Sequence, residues 1–215
     1  MSRTAGTSQG LPSRSEAATP ASRRAVRILE AASSCFAERG FKRATVEDIA
    51  AAAGVSRPLV YKHFGDKDAL IDAVLEATFD DWLVYNATPF EDSAESASAG
   101  LEAKITGAVE FARARPIFQA ILRRDPQIVF SGHGERFLEC RACSRERTLE
   151  ILRMGIRTGE FRADFDLDAT ADSLEMILFV LLERALGIRP GQSLDAPLHD
   201  ATIQLLIAGL RNADG

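Results

Sequence analysis

The sequence lacks long hydrophobic runs and has few cysteines. Its longest uninterrupted apolar stretch, Met176 to Leu182, is seven residues, far short of the roughly 20 that a membrane-spanning helix needs. No apolar stretch follows Arg3 as it would in a signal peptide. Three cysteines, an odd number without the spacing of a disulfide framework, fit a reducing compartment. These absences predict a cytoplasmic protein that does not bind a membrane.

Signatures of catalysis and of cofactor binding are also missing. The chain has no glycine-rich phosphate loop of the nucleotide-binding type and no nucleophile elbow. A nucleophile, a base and an orienting group cannot be recognised together. We therefore expect no enzymatic activity and no cofactor.

One pair of cysteines leaves a second interpretation open. Cys140 and Cys143 stand three residues apart on a predicted helix, a spacing that can serve a metal or a redox switch. No second pair matches them, and His133 and His199 are isolated. Plain, partly buried thiols are therefore the default and no metal site is predicted. Cys35, among apolar helix positions, is expected to be buried and inert.

Negative charge dominates the chain as a whole but not its N-terminal third. The formal net charge is −5, yet residues 1–70 carry 11 Lys and Arg against 7 Asp and Glu, a balance of +4. Residues 71–215 carry 15 against 24, a balance of −9. A basic part suits the phosphate backbone of DNA, and an acidic body is repelled by it. The distribution predicts DNA binding through the N-terminal part.

The segment 45–64 holds two short helical patterns joined at a glycine. Thr45 and Asp48 have the spacing of a capping box, which satisfies free N–H groups at a helix start. Gly54 supplies the positive φ that ends this helix and turns the chain. Ser56 is placed to cap the next helix, and Pro58 stands in its first turn, where a missing N–H costs little. The pattern indicates a helix-turn-helix.

The second helix of this pair, predicted over 57–64, has two different faces. At about 100° per residue, Val60 and Phe64 share one side and are expected to face the core. The other sides are basic and aromatic, which suits a major groove, and carry Arg57, Pro58, Leu59, Tyr61, Lys62 and His63. The alternative is an ordinary surface hairpin of helices with solvated charges.

Five short motifs carry a family resemblance. They are Phe36–Phe41, Ala44–Ala50, Gly54–Ser56, Tyr61–Phe64 and Lys67–Leu70. Together they resemble the TetR family of bacterial transcriptional regulators. The resemblance implies an all-α homodimer, usually a repressor, with an N-terminal three-helix DNA-binding domain that contains the helix-turn-helix. It also implies a larger C-terminal helical domain for ligand binding and dimerisation.

The expected domain boundaries follow from this organisation. Residues 1–21, rich in Ser, Thr, Ala, Gly and Pro, are expected to form a disordered arm. Arginines of that arm lying in a DNA groove remain the alternative to a solvated tail. Residues 22–70 are the predicted DNA-binding domain, and residues 71–215 the predicted ligand-binding and dimerisation domain.

Contacts with a double-stranded DNA operator are predicted from helix face and resemblance together. The side chains expected to approach bases are Arg57, Pro58, Leu59 and Lys62. Phosphate contacts are expected from Arg43, Thr45, Ser56, Tyr61, His63 and Lys67. Because the family is dimeric, we expect the operator to be palindromic.

Apolar periodicity predicts seven further helices. A supporting helix runs from Ser22 and ends at Gly40, and a connector over 66–85, capped by Asp66, joins the two domains. A loop is expected at 88–93. The remaining helices are expected over 94–115, 117–124, 135–157, 169–186 and 196–211.

The C-terminal part offers candidates for a ligand pocket and for a dimer interface. A cavity for a small lipophilic effector is expected to be lined by Trp82, Phe111, Phe118, Phe137, Met154, Met176 and Phe179. The helix 169–186 is apolar nearly all round, so a second copy is expected to cover it in a four-helix bundle. The interface residues predicted there are Leu178, Leu182, Leu206 and Leu210. Full burial within one chain is the alternative.

These features combine into one functional prediction. The chain is expected to be a transcriptional repressor that a small, lipophilic effector releases from a palindromic operator. Two alternatives remain at this point: a helical protein-interaction module, and a redox- or metal-responsive regulator that uses Cys140 and Cys143.

Overall fold

A computed structural model describes residues 20–87, 96–123, 133–188 and 191–212. Most of the predicted arm and the predicted loop at 88–93 lie outside the described residues. Within the described ranges, the only pairing of strand type is an isolated antiparallel bridge between Phe161 and Arg211. The helices are α1 Pro20–Arg43, α2 Val46–Ala53, α3 Arg57–Phe64, α4 Lys67–Ala87, α5 Ala97–Ala114, α6 Pro116–Leu122, α7 Gly134–Thr158, α8 Leu167–Ala185 and α9 Ala196–Leu210. The predicted all-α fold class is confirmed.

The first three helices pack around one apolar cluster. α1 lies against α2, and α2 against α3. Each contributes buried side chains, among them Phe36 of α1, Ile49 of α2 and Val60 of α3. These contacts form the predicted three-helix unit and hold α3 at its surface.

Gly40 ends the regular part of α1. The helix begins at Pro20 and is interrupted at Gly40, where φ is 77° and ψ is 158°. One further turn, closed by the N–H of Ala44 on the Gly40 carbonyl at 3.2 Å, carries the chain to Arg43. The helix end predicted at Gly40 is therefore confirmed, with one further turn after it.

One continuous helix, α4, belongs to both halves of the molecule. Asp66 caps it as predicted, because its Oδ1 accepts the N–H of Ala69 at 2.8 Å. Leu70 near its start and Trp82 near its end are both buried. α4 packs against α1 and α3 and also against α6 and α7, and α1 itself contacts α6. The three-helix unit therefore meets the C-terminal helices along two elements.

Capping residues set the limits of the C-terminal helices. Ser96, Asp166 and Asp195 each accept an N–H from the first turn of α5, α8 and α9, respectively. α5 stops at Arg115, whose φ of −124° and ψ of 89° are non-helical because Pro116 follows it. The predicted helix limits agree with the observed ones to within three residues. No helix in the described ranges is both long enough and apolar enough to cross a membrane.

The turn after α7 folds Phe161 back onto that helix. Gly159 has a φ of 77°, and the N–H of Phe161 reaches the carbonyl of Gly155 at 2.9 Å. The ring of Phe161 is buried against Gly155, where an added Cβ would lie 2.2 Å from a ring carbon. The close approach of this ring therefore requires glycine at position 155.

Gly155→Ala is expected to lower the free energy of unfolding by about 1–3 kcal/mol, the usual cost of overpacking, because the ring of Phe161 has to move. Gly134→Ala is the matched control, since an added Cβ there meets nothing within 4 Å. Its effect should stay within about 0.5 kcal/mol. Urea unfolding at one fixed protein concentration measures both. Equal stability of the two variants would contradict the tight contact.

Candidate nucleic-acid interface

α2 begins in a complete capping box, as the spacing of Thr45 and Asp48 predicts. The Thr45 hydroxyl accepts the N–H of Asp48 at 3.1 Å, and the Asp48 carboxylate accepts the N–H of Thr45 at 3.1 Å. The carboxylate also pairs with Arg39 of α1 at 2.7 Å. The hydrogen bonds from Thr45 are the main reason that the pKa of Asp48 is lowered. The start of α2 is thus fixed to α1.

Gly54 makes the tight turn between α2 and α3. Its φ of 64° and ψ of 40° lie in the left-handed region, as predicted, and its N–H bonds back to carbonyls of α2. Ser56 has the extended backbone of the predicted N-cap, but its side chain makes no capping hydrogen bond. The predicted cap is therefore confirmed for the backbone only. The N–H of Leu59 bonds the Ser56 carbonyl at 2.9 Å instead. The exposed hydroxyl of Ser56 therefore has no role in the cap.

α3 has the predicted limits and the predicted inward face. Val60 is buried and Phe64 is half-buried against the apolar cluster. The side chains on the remaining sides are exposed or half-buried, and they are Arg57, Pro58, Leu59, Tyr61, Lys62 and His63. We call these six residues the α3 surface. It carries basic and aromatic groups and no acidic side chain.

Arg57 is held in a defined position on the α3 surface. Its guanidinium pairs with Glu47 of α2 at 2.6 Å, donates to the Tyr61 hydroxyl at 3.2 Å and lies 5.3 Å from the centre of the Tyr61 ring. The hydrogen bond to Tyr61, followed by the charge of Glu47, raises the pKa of Arg57. The sequence analysis did not predict that Glu47 pairs with Arg57. The four-residue spacing of Arg57 and Tyr61 is the signal that indicates their contact.

Basic groups from two helices lie beside the start of α2. Arg43, the last residue of α1, is exposed and donates from Nε to the Arg39 carbonyl at 2.9 Å. Lys67 at the start of α4 donates from Nζ to the Lys42 carbonyl at 3.3 Å, although 25 residues separate the two in sequence. The fold thus brings Arg43 and Lys67 close to Thr45, where the free N–H groups of a helix start attract anions.

Together these features define a helix-turn-helix DNA-binding regulator. Known proteins are similar to this chain over most of its length. Residues 28–74 match the model of the tetR family of bacterial regulatory proteins. The transcriptional repressor KstR2 of Mycolicibacterium smegmatis is 35% identical over 207 residues, covering 91% of this chain and 94% of that protein. KstR2 of Rhodococcus jostii is 30% identical over 171 residues, covering 79% and 82%.

Solved structures share the fold. The ketosteroid transcriptional regulator KstR2 of Mycobacterium tuberculosis has a TM-score of 0.58 at 26% identity, covering 88% of this chain and 95% of that one. The TetR-family protein CprB of Streptomyces coelicolor, in complex with its operator, has a TM-score of 0.64 at 23% identity, covering 91% and 92%. This chain belongs to the tetR family of bacterial regulatory proteins and is a DNA-binding transcriptional regulator. The resemblance of the N-terminal motifs is confirmed.

A second candidate site is a partly open cavity of about 530 Å³, mouth included, between α4, α6, α7 and α8. Four of the seven residues predicted for a pocket line it, namely Trp82, Phe118, Phe137 and Phe179. Phe111 lies outside the lining but packs edge-on against Trp82, with 5.0 Å between ring centres. Met154 is half-buried outside the lining, and Met176 is 66% exposed.

The polar part of the cavity lining was missed by sequence reasoning. Arg141 and Ser144 of α7 and Glu175 of α8 line the cavity. Their spacing could have predicted this, because Arg141 and Ser144 share a helical face with Phe137, and Glu175 shares one with Phe179. Both phenylalanines were predicted to line the pocket. The cavity therefore combines an aromatic lining with a small group of polar side chains.

Three of the four predicted dimer residues need correction, because their own chain buries them. Leu178 and Leu182 are buried by their own chain and line the cavity. Residues four apart on a helix share a side, so these two turn inward while Met176 and Val180 face outward. Of the other two predicted residues, Leu210 is buried and Leu206 is half-buried. The large apolar side chains of these two helices that remain exposed are Met176 and Val180 of α8 and Leu198 and Leu205 of α9.

The three cysteines are protonated thiols in this environment. Burial raises the pKa of Cys140 to about 12 and also raises the pKa of Cys35 and of Cys143. Redox chemistry and metal binding both need the thiolate. In the described part of the chain, no group of three or more His, Cys, Asp or Glu is placed to hold a metal ion. His133 instead pairs with carboxylates of α4. The raised pKa values argue against the redox-responsive alternative, because they leave little thiolate.

Cys140 is expected to resist thiol reagents in the folded protein, because a pKa of about 12 leaves roughly one thiolate in 10,000 at pH 8. Half-buried Cys143 should react first. Mass spectrometry after timed treatment with iodoacetamide measures the order, and the same protein in urea, where all three thiols are exposed, is the control. Rapid formation of a disulfide between Cys140 and Cys143 on mild oxidation would revive the redox alternative.

Proposed function

We propose that this regulator is a dimeric repressor that binds a palindromic operator through the α3 surface and is released by a small lipophilic effector in the cavity. The observation that carries the proposal is the α3 surface, held rigidly by the capping box, the Gly54 turn and the pair of Arg57 with Glu47. Two relatives are named as repressors. Another is described as a ketosteroid transcriptional regulator, which supports an apolar effector.

The α3 surface divides into two kinds of contact. In a helix-turn-helix, residues near the start of the second helix approach base edges and flanking residues hold phosphates. Arg57, Pro58, Leu59 and Lys62 are therefore assigned to bases. Phosphate contacts are assigned to Tyr61 and His63 of this surface and to Arg43, Thr45, Ser56 and Lys67 beside it.

A second copy of the chain supplies the other half of the interaction. The two α3 helices of a dimer must meet successive major grooves, about 34 Å apart along the duplex. The exposed apolar side chains of α8 and α9, with Met176 at 66% and Leu205 at 74% exposure, are suited to burial against that copy. We call Met176, Val180, Leu198 and Leu205 the dimer face. It replaces the predicted interface at Leu178 and Leu182.

Release follows from the position of the cavity on α4. Phe79 and Trp82 line the cavity, and Lys67 at the other end of the same helix lies beside the DNA-binding unit. An effector that binds more tightly when α4 is displaced favours the state in which the two α3 helices are wrongly spaced. The coupling free energy equals the difference in its affinity for the two states.

Binding to DNA upstream of the chain's own coding sequence tests the proposal. A repressor should protect a palindromic site there, and the logarithm of its affinity should fall linearly with the logarithm of salt concentration, since phosphate contacts release counterions. A scrambled duplex of equal length is the control. A helical protein-interaction module, the competing class, would show no specific site even at low salt, and that result would refute the proposal.

Lys62→Ala is expected to change sequence preference, because Lys62 is assigned to a base. Tyr61→Phe should weaken binding to all operator variants alike, because it removes a phosphate contact. Fluorescence anisotropy on a set of single-base operator variants measures both. The two roles would be wrongly assigned if both substitutions caused the same loss on every variant.

Val180→Glu or Leu205→Glu is expected to produce monomers that bind the full palindrome at least tenfold more weakly, because a charge enters the dimer face. Val84→Glu is the matched control, since Val84 is 70% exposed on α4, outside that face. Sedimentation equilibrium gives the oligomeric state, and circular dichroism shows that each variant is folded. A wild-type monomer with high affinity for a full palindrome would contradict the dimer.

A further inference from the structure

A buried charged network reaches the lining of the cavity. Lys104 of α5 donates from Nζ to Glu175 Oε1 of α8 at 2.8 Å and to the Ser144 hydroxyl of α7 at 3.1 Å. Glu175 also accepts from Ser144 at 2.7 Å and from Thr148 at 2.6 Å. The side chain of Lys104 is 4% exposed and that of Glu175 is 13% exposed. Neither DNA binding nor the dimer face accounts for this network.

Only one end of the network faces the cavity. Glu175 and Ser144 line it, whereas Lys104 and Thr148 stand behind them. A bound molecule therefore meets the carboxylate and hydroxyl oxygens, and Lys104 is not part of the lining. Apolar side chains of similar size in place of a buried ion pair often leave stability unchanged or raise it. Stability alone thus does not explain why charges occupy this place.

The two side chains at the cavity end can accept hydrogen bonds from a ligand but cannot donate them. The carboxylate of Glu175 only accepts, and within the described residues its Oε2 takes a single hydrogen bond. The proton of Ser144 is directed to that oxygen, so the hydroxyl has only a lone pair to offer. The two uncharged donors elsewhere in the lining are engaged: the Trp82 indole N–H reaches the Cys140 carbonyl at 3.3 Å, and the Cys140 thiol reaches the Phe79 carbonyl at 3.7 Å.

The charges around the cavity disfavour an anion at this end. A ligand carboxylate beside Glu175 would place two like charges in a region of low dielectric constant. Arg141, the other charged residue of the lining, is exposed, so water and salt screen its charge. A ketone beside Glu175 would leave buried acceptors facing each other without a donor. A hydroxyl supplies the missing donor without adding a charge.

We propose that the cavity selects an apolar molecule carrying a hydroxyl group that donates its hydrogen bond to Glu175. The hydrocarbon body of this ligand packs against Trp82, Phe118, Phe137 and Phe179. Lys104, Ser144 and Thr148 are positioning residues that orient the carboxylate. The inference rests on the proposed function, because it takes the cavity to be the effector site.

Three rigid bicyclic probes of similar size compare a hydroxyl, a ketone and a carboxylate in the cavity. They are decahydro-2-naphthol, 2-decalone and decahydro-2-naphthoate. Trp82 is the single tryptophan of the chain and lines the cavity, so its fluorescence reports occupancy in the full-length protein. The alcohol should bind about tenfold or more tightly than the ketone, as one hydrogen bond to a charged acceptor implies. The carboxylate should bind most weakly. Ketone or carboxylate binding as tight as that of the alcohol would overturn the proposal.

The double substitution Lys104→Met with Glu175→Met removes the acceptor without leaving an unpaired buried charge. Both the alcohol and the ketone should still bind, with an affinity ratio near one. Arg145→Met is the matched control, because it removes an exposed ion pair with Asp172, at 2.6 Å, between the same helices α7 and α8. It should keep the wild-type ratio. A preference for the alcohol that survives in the double variant would also overturn the proposal.

Operator binding measured on the same samples separates this inference from the proposed function. If the protein binds its operator but no probe changes the fluorescence of Trp82, hydroxyl selection fails and repression stands. If the alcohol binds with the expected preference but no specific operator exists, repression fails and the ligand selectivity stands.

Discussion

The structure depends on one constraint, namely that α4 must pack into two apolar environments with a single unbroken backbone. Its 21 residues span roughly 31 Å. Leu70 and Val74 are buried near its start, beside the DNA-binding unit, and Phe79 and Trp82 are buried near its end, at the cavity. Since a regular helix keeps its length, a displacement at the cavity moves the end that contacts the DNA-binding unit.

The two ends of α4 are held by different kinds of interaction. At the cavity end, Trp82 packs against Phe118 with 5.2 Å between ring centres, and Asp81 pairs with Arg115 at 2.9 Å. At the other end, Lys67 bonds a backbone carbonyl of the last turn of α1. α1 also contacts α6, whose Phe118 lines the cavity. The DNA-binding unit is therefore linked to the cavity through α4 directly and through α1 and α6.

Local sequence signals made the helices of the DNA-binding part predictable. In the C-terminal part, such signals did not predict which side chains face inward or which charges pair. The limits of α2 and α3 follow from Thr45, Gly54 and Pro58, which act within a few residues along the chain. α8 is apolar nearly all round, so periodicity could not tell inward Leu178 from outward Met176. The pair of Lys104 and Glu175 joins residues 71 apart in sequence. Only the packing of α5 against α8 brings those charges together, and no spacing in the sequence encodes it.

In the proposed function, α8 links ligand recognition to dimer formation, because its two sides serve different partners. Glu175, Leu178 and Leu182 face the cavity, and Met176 and Val180 belong to the dimer face. In the proposed dimer, the second copy fixes the outward side and so resists any shift of α8. The cavity is also walled by α4 and α6, and neither helix contributes to the dimer face. A ligand in the proposed effector site, anchored on Glu175, would contact Phe79 and Trp82 of α4, the helix that leads to the DNA-binding unit.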